Sequence, residues 1–138
     1  MAYSANLTKL SYKVGSAAFE EIPHLMEVPD LGGTPEKIDV TTLADKSKRY
    51  IPGIIDYGDL VFKFLYDNEN EDANFRMFKG LADNGTTATF KVEYPDGTAH
   101  QFDAIPSVKT EAATINGALT LNVTMLLQSE IEVINPTA

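Results

Sequence analysis

The sequence predicts a mainly β protein, an antiparallel sandwich or barrel of two packed sheets with one flanking α-helix. Three observations predict it. Several segments alternate apolar and polar residues with period two, and only one segment, at about 69–82, has a helical period. The chain has 138 residues, of which 43% are hydrophobic, which is enough to bury a core in one domain spanning 1–138.

The strands follow from the alternation. It is clearest near the carboxyl end, where Leu119, Leu121, Val123 and Met125 share one face. The Pro-Asp-Gly triplet at 95–97 supplies the turn of a hairpin between two alternating segments. In chain order, strands are predicted at about 10–16, 22–28, 37–42, 60–66, 87–94, 98–105, 117–128 and 130–134.

One helix is predicted over about 69–82. Asn68 can cap it, with Glu71 three residues later as in a capping box, and acidic residues fill the first turn, where the helix dipole favours them. Asn84 and Gly85 supply a stop signal. A narrow apolar stripe faces the sheet and consists of Phe75, Phe78 and Ala82.

A long loop is predicted at about 29–58. It contains two adjacent glycines, three prolines and a basic cluster at 46–50, yet it carries too many apolar residues for a disordered segment. We therefore expect another molecule to cover it. The basic cluster has two interpretations: a solvated loop, or a docking patch for an acidic surface, which other copies of the same chain would supply.

Composition argues against several functions. Twenty Asp and Glu residues against eleven Lys and Arg give a net charge of −9, which opposes binding to a nucleic-acid backbone. Cysteine is absent, and no apolar run approaches the ~20 residues that cross a bilayer, so we expect no thiolate metal site, no membrane partner and synthesis in the cytosol. The histidines at 24 and 100 are interpreted as structural residues of strands.

No motif predicts an enzyme or a cofactor. The acidic run at 67–72 lacks the Gly and Glu that a calcium loop needs. The sequence Gly-Gly-Thr-Pro-Glu-Lys lacks the spacing of a phosphate loop. No serine lies in a nucleophile motif. We expect no catalytic residue, no metal and no cofactor.

Three stretches carry a resemblance to a known family: LMEVPDLGGTPEKIDVTTLADKSKRYIPGIIDYGDLVFKF, the YPDG hairpin followed by FDAIPSVKTEA, and ALTLNVTMLLQSE. Together they run from about residue 19 to 134. The chain resembles the tail tube, or major tail, proteins of long non-contractile bacteriophage tails. That family is related in fold to the inner tubes of contractile tails and type VI secretion systems.

The resemblance implies a virion protein whose hexameric rings stack into a hollow tube through which genomic DNA passes without specific binding. It implies that segment 29–58 joins one ring to the next, and that the other partners are the tape measure, tail terminator and distal tail proteins. The charge of −9 adds the expectation of a negative inner wall. A monomeric β-sandwich that binds a carbohydrate or a host surface is the alternative. The candidate self-association residues are Asp30, Leu31, Gly32, Gly33, Lys46, Lys48, Arg49 and Tyr50.

Overall fold

A computed structural model describes residues 4, 6–32, 34–69, 73–111, 113, 115 and 117–136. This part of the chain forms ten strands and one helix. In chain order they are β1 (Lys9–Lys13), β2 (Glu20–Glu21), β3 (Leu25–Glu27), β4 (Thr34–Asp39), β5 (Tyr50–Asp56), β6 (Leu60–Leu65), α1 (Asn74–Asn84), β7 (Ala88–Glu93), β8 (Ala99–Thr110), β9 (Thr120–Leu127) and β10 (Glu132–Ile134).

The main sheet has eight strands, all paired antiparallel, and it curls into a half-barrel. Its order is β2-β1-β7-β8-β9-β6-β3, and β10 pairs with the start of β8. The turn at 95–97 joins β7 to β8 as predicted, with Gly97 at φ 96. Strands β4 and β5 form a separate two-stranded sheet. The predicted fold class, mainly β with one helix, is confirmed.

The core is a row of five buried phenylalanine rings that links three strands to the helix. Ring centroids lie 6.3 Å apart for Phe62 and Phe102, 5.9 Å for Phe102 and Phe90, 6.4 Å for Phe90 and Phe78, and 5.2 Å for Phe78 and Phe64. Offset aromatic pairs at such distances stabilise beyond the area that they bury. The row holds α1 against the inner face of the half-barrel.

Alternation correctly predicted which side chains enter this core. On β9, Leu121, Val123 and Met125 are buried, while Asn122 and Thr124 lie on the other face and are partly exposed.

The two histidines, both predicted to be strand residues, lie in different kinds of segment. His100 lies in β8, whereas His24 lies between β2 and β3 with φ 69, 3.6 Å from the Asp67 carboxylate, so its prediction as a strand residue was wrong.

The helix starts later than predicted, at Asn74 and not at 69. Its N-cap is Ala73, which has no side-chain cap, and the first turn contains no acidic residue. The predicted cap, Asn68, instead accepts a hydrogen bond from Arg76 Nε at 3.0 Å. Its partner in the predicted capping box, at 71, lies outside the described residues. The start is set by tertiary contacts, because the Asp67 carbonyl accepts the Phe75 N–H at 3.1 Å.

Buried Asn74 fastens that helix start to two other segments. Its side-chain Nδ2 donates to the carbonyl of Leu65 at 2.9 Å and to that of Pro23 at 3.5 Å. Its Oδ1 accepts the Asp67 N–H at 3.2 Å. Asn74 is 1% exposed, so water cannot replace these bonds. One amide therefore joins α1, the end of β6 and the chain before β3.

Replacing Asn74 with alanine is expected to lower the free energy of unfolding by about 2–3 kcal/mol, because it leaves buried backbone groups without partners. Urea denaturation measures this. The control is Asn84→Ala at the exposed far end of the same helix, which should change stability by no more than about 0.5 kcal/mol. Equal effects of the two substitutions would show that the Asn74 bonds are not structural.

The predicted long loop at 29–58 is mostly a β-hairpin, so its description as irregular chain was wrong. We call residues 34–56, which comprise β4, the turn at 40–49 and β5, the arm. A strand was predicted at 37–42, and β4 lies close to it. Strand β5 was missed because Pro52 and Gly53 interrupt its apolar residues, and both residue types are depleted in strands.

Candidate functional site: an exposed arm and the cleft at its base

The two strands of the arm form a sheet of their own, which shares no strand with the main sheet. Ile38 pairs with Ile51, and the register shifts between Pro35 and Lys37 to form a bulge. Glycines with positive φ flank the arm on both sides, Gly32 at 126° and Gly58 at 70°. Glycine adopts such angles without the steric cost that a Cβ imposes, so these two positions set the direction in which the arm leaves the domain.

The turn of the arm is closed by its own hydrogen bonds. Arg49 donates its N–H to Thr41 Oγ1 at 2.9 Å, and the Arg49 carbonyl accepts the Val40 N–H at 3.1 Å. The Asp45 carboxylate accepts the Thr42 N–H at 2.8 Å and lies 3.3 Å from Arg49 Nε. The basic cluster therefore sits on an ordered turn.

Apolar side chains remain exposed on the arm. Ile38 and Ile51 form a cross-strand pair, each about half exposed, while Ile54 is 85% exposed and Leu43 on the turn is fully exposed. A lone two-stranded hairpin is only marginally stable in water, and its outer edges offer unpaired backbone groups to other chains. The arm has the properties of a segment that another molecule covers.

The predicted self-association residues fall into two groups. Asp30, Leu31 and Gly32 lie at the base of the arm, while Lys46, Lys48, Arg49 and Tyr50 lie at the turn or at the start of β5, all four of them exposed. Gly33 lies outside the described residues. The structure thus separates the two groups by the length of the arm.

The base of the arm borders a cleft of about 940 Å³, which we call the base cleft. Its walls come from the chain before β1, from β3 and the segment that follows it, and from the β7–β8 turn. Leu7, Met26 and Leu31 supply apolar surface, and the carboxylates belong to Glu27, Asp30 and Asp96. Sequence reasoning found Asp30 and Leu31 but missed the others, because they come from three separate segments and share no local signal.

The face of the main sheet that points away from the core carries more lysines than carboxylates. Lys63 on this face lies 3.6 Å from Glu111, and a hydrogen bond from the Thr120 side chain, followed by the charge of Lys63, lowers the pKa of Glu111. The ring of Phe19 has the ammonium groups of Lys13 and Lys91 at 4.9 and 4.6 Å. In the five strands β1 and β6–β9 the charged residues of this face are Lys9, Lys13, Lys63, Lys91, Lys109, Glu93 and Asp103.

The described residues contain neither a cluster of metal-binding side chains nor a helix that could span a membrane. No group of three or more His, Cys, Asp or Glu side chains is placed to hold a metal ion there. No helix within that part of the chain has the length and apolar character needed to span a membrane.

Comparison with solved structures shows the fold. The chain matches a subunit of the tail of an empty GTA particle with a TM-score of 0.76 at 18% identity, covering 97% of this chain and 100% of that one. It matches a chain of the anti-feeding prophage baseplate at 0.74 and 10% identity, covering 100% and 99%. A third match, at 0.63 and 14% identity, is in the sheath-tube complex of the extracellular contractile injection system PVC, covering 96% and 92%.

The sequence itself shows the family. No curated protein matches the chain. The family model described as phage tail tube protein, TTP, matches residues 2–136, nearly the whole length. Together with a fold that recurs in tail and injection-system assemblies, this match shows that the chain belongs to the phage tail tube protein family.

Proposed function

We propose that copies of this chain form hexameric rings that stack into the hollow tube of a phage tail, and that the tail is of the long non-contractile kind. The role itself is that of a structural tail tube protein. The exposed arm carries the proposal for stacking, since its apolar residues and basic turn find no cover within the described chain. Six-fold symmetry is a property of the similar GTA tail and prophage baseplate.

An open edge of the main sheet supports ring closure. Pairing of β7 with β8 ends at Ala88 and Ala104, and β8 continues to Thr110 with no strand on that side among the described residues. Pro106, which has no N–H to donate, lies on this stretch. A ring in which each subunit covers its neighbour's edge removes the tendency of such edges to pair at random.

The partners follow from the same proposal. They are further copies of the chain and the tape measure, tail terminator and distal tail proteins, with genomic DNA passing through the tube, and the location is the virion tail after synthesis in the host cytoplasm. The chain acts without catalysis in this proposal. No observation on the described residues favours the alternative, a monomeric module that binds a carbohydrate or a host surface.

Size-exclusion chromatography followed by negative-stain microscopy tests the proposed function. Purified protein at rising concentration, with and without a crowding agent, should form rings or tubes. A chain that stays monomeric under all of these conditions contradicts the proposal and favours the binding-module alternative.

Assembled tubes are expected to show no measurable affinity for duplex DNA at ~0.15 M salt. The net charge of −9 per subunit opposes binding to phosphates. Lysines outnumber carboxylates on the outward face of the main sheet, so a channel lined by that face alone would have a basic wall. The expected negative inner wall therefore requires that other surfaces contribute to the channel. A gel shift that weakens steeply as salt rises would show instead that these lysines face the DNA.

A further inference from the structure

We propose that the base cleft receives the turn of the arm from a second copy of the chain. The inference rests on the proposed function, because it assumes that the arm joins subunits, and it adds the surface that the arm meets. The two sides of the proposed contact are the two groups of residues that the structure places at opposite ends of the arm.

Charge complementarity is the first argument. Three carboxylates line the cleft, from Glu27, Asp30 and Asp96, and no Lys or Arg is among the described residues of its wall. The turn presents Lys48 and Arg49, with Lys46 beside them, all exposed. Complementary potentials of this kind fix the register of a contact and disfavour wrong partners.

Apolar complementarity is the second argument. Leu7 on the cleft wall is 83% exposed, and Met26 is about half exposed. Leu7 also has φ 73, an angle that is uncommon for a bulky residue. An apolar side chain that faces water is stabilised when an apolar partner covers it. Leu43, fully exposed on the turn, is the partner of matching chemistry.

The length of the arm argues that the occupant is another copy. Strand β5 has seven residues and at ~3.3 Å per residue spans about 23 Å. A paired ladder of this length holds its turn away from the cleft at its own base. A contact between the turn of one copy and the cleft of the next is heterologous, and heterologous contacts build rings or open stacks, as a tube requires.

Thiol cross-linking tests the contact directly, because the chain contains no cysteine. Leu43→Cys is made in one preparation and Met26→Cys in a second that carries an affinity tag, and both are assembled with excess wild type. A short bifunctional maleimide should give a heterodimer band in tubes and none in the monomer fraction. The matched control replaces Met26→Cys with Leu126→Cys, a similarly exposed apolar position on a different groove.

The outcomes separate the inference from the function on which it rests. A heterodimer with Met26→Cys that greatly exceeds the one with Leu126→Cys supports the contact. Tubes that give the stronger band with Leu126→Cys, or no band with either, overturn it while the tail tube function stands. Failure of the wild type to assemble under any condition contradicts the proposed function, and the inference then fails with it.

Discussion

Replacing Phe78 with alanine is expected to lower the free energy of unfolding by about 3–5 kcal/mol, the range for large-to-small changes of a buried phenylalanine. Phe78 is fully buried and lies between Phe64 of β6 and Phe90 of β7. The substitution opens a cavity where helix and sheet meet. Total stability of a domain is about 5–15 kcal/mol, so a large share would be lost.

Urea denaturation measures the loss, with Phe75→Ala as the control. Phe75 lies three residues earlier on the same helix, packs against Tyr66 at 5.2 Å and is only partly buried. Its removal should therefore cost roughly half as much, in proportion to the area withdrawn from water. If Phe78→Ala cost no more than Phe75→Ala, the aromatic row would not be the main support of the helix.

Reversing the charge of Lys48 and Arg49 to glutamate is expected to abolish tube assembly at concentrations where the wild type assembles. Like charges across a docking surface cost several kcal/mol, whereas exposed substitutions change folding stability by about 0.5 kcal/mol or less. Circular dichroism should show a folded monomer. Sedimentation should show that it stays a monomer.

Lys79→Glu is the matched control for the single variant Arg49→Glu. Each basic side chain pairs with a carboxylate four residues away, Arg49 with Asp45 and Lys79 with Asp83, and their exposures are 61% and 55%. Only Arg49 lies on the arm. Assembly that suffers equally in both single variants would mean that added negative charge, and not the position on the arm, is responsible.

Local pattern predicted those parts of the fold where one face of a strand meets the core. The faces of β6, β7 and β9 follow from alternation, because burial on one side of a sheet imposes period two. The helix start did not follow, since Asn74 bonds to Leu65, nine residues earlier, and to Pro23, 51 residues earlier, both outside the helix. Capping propensity is weak beside such tertiary contacts.

Of the candidate site, local pattern predicted only the basic cluster at 46–50, which stands out in an acidic chain. The cluster lies exposed on the turn of the arm, and its part in self-association stays a prediction. The arm itself was predicted as a loop, because exposure on both faces removes the alternation that reveals a half-buried strand. The base cleft combines Leu7, Met26 and Asp96 from three segments, and only the curl of the sheet brings them together.

Helical reconstruction of tubes by electron microscopy tests the central claim most directly, that the chain is a tube subunit joined through its arm. The account predicts six copies per ring and an arm, residues 34–56, that is covered by another copy along its exposed isoleucines. Tubes in which the arm stays in solvent, or an assembly without stacked rings, would contradict it.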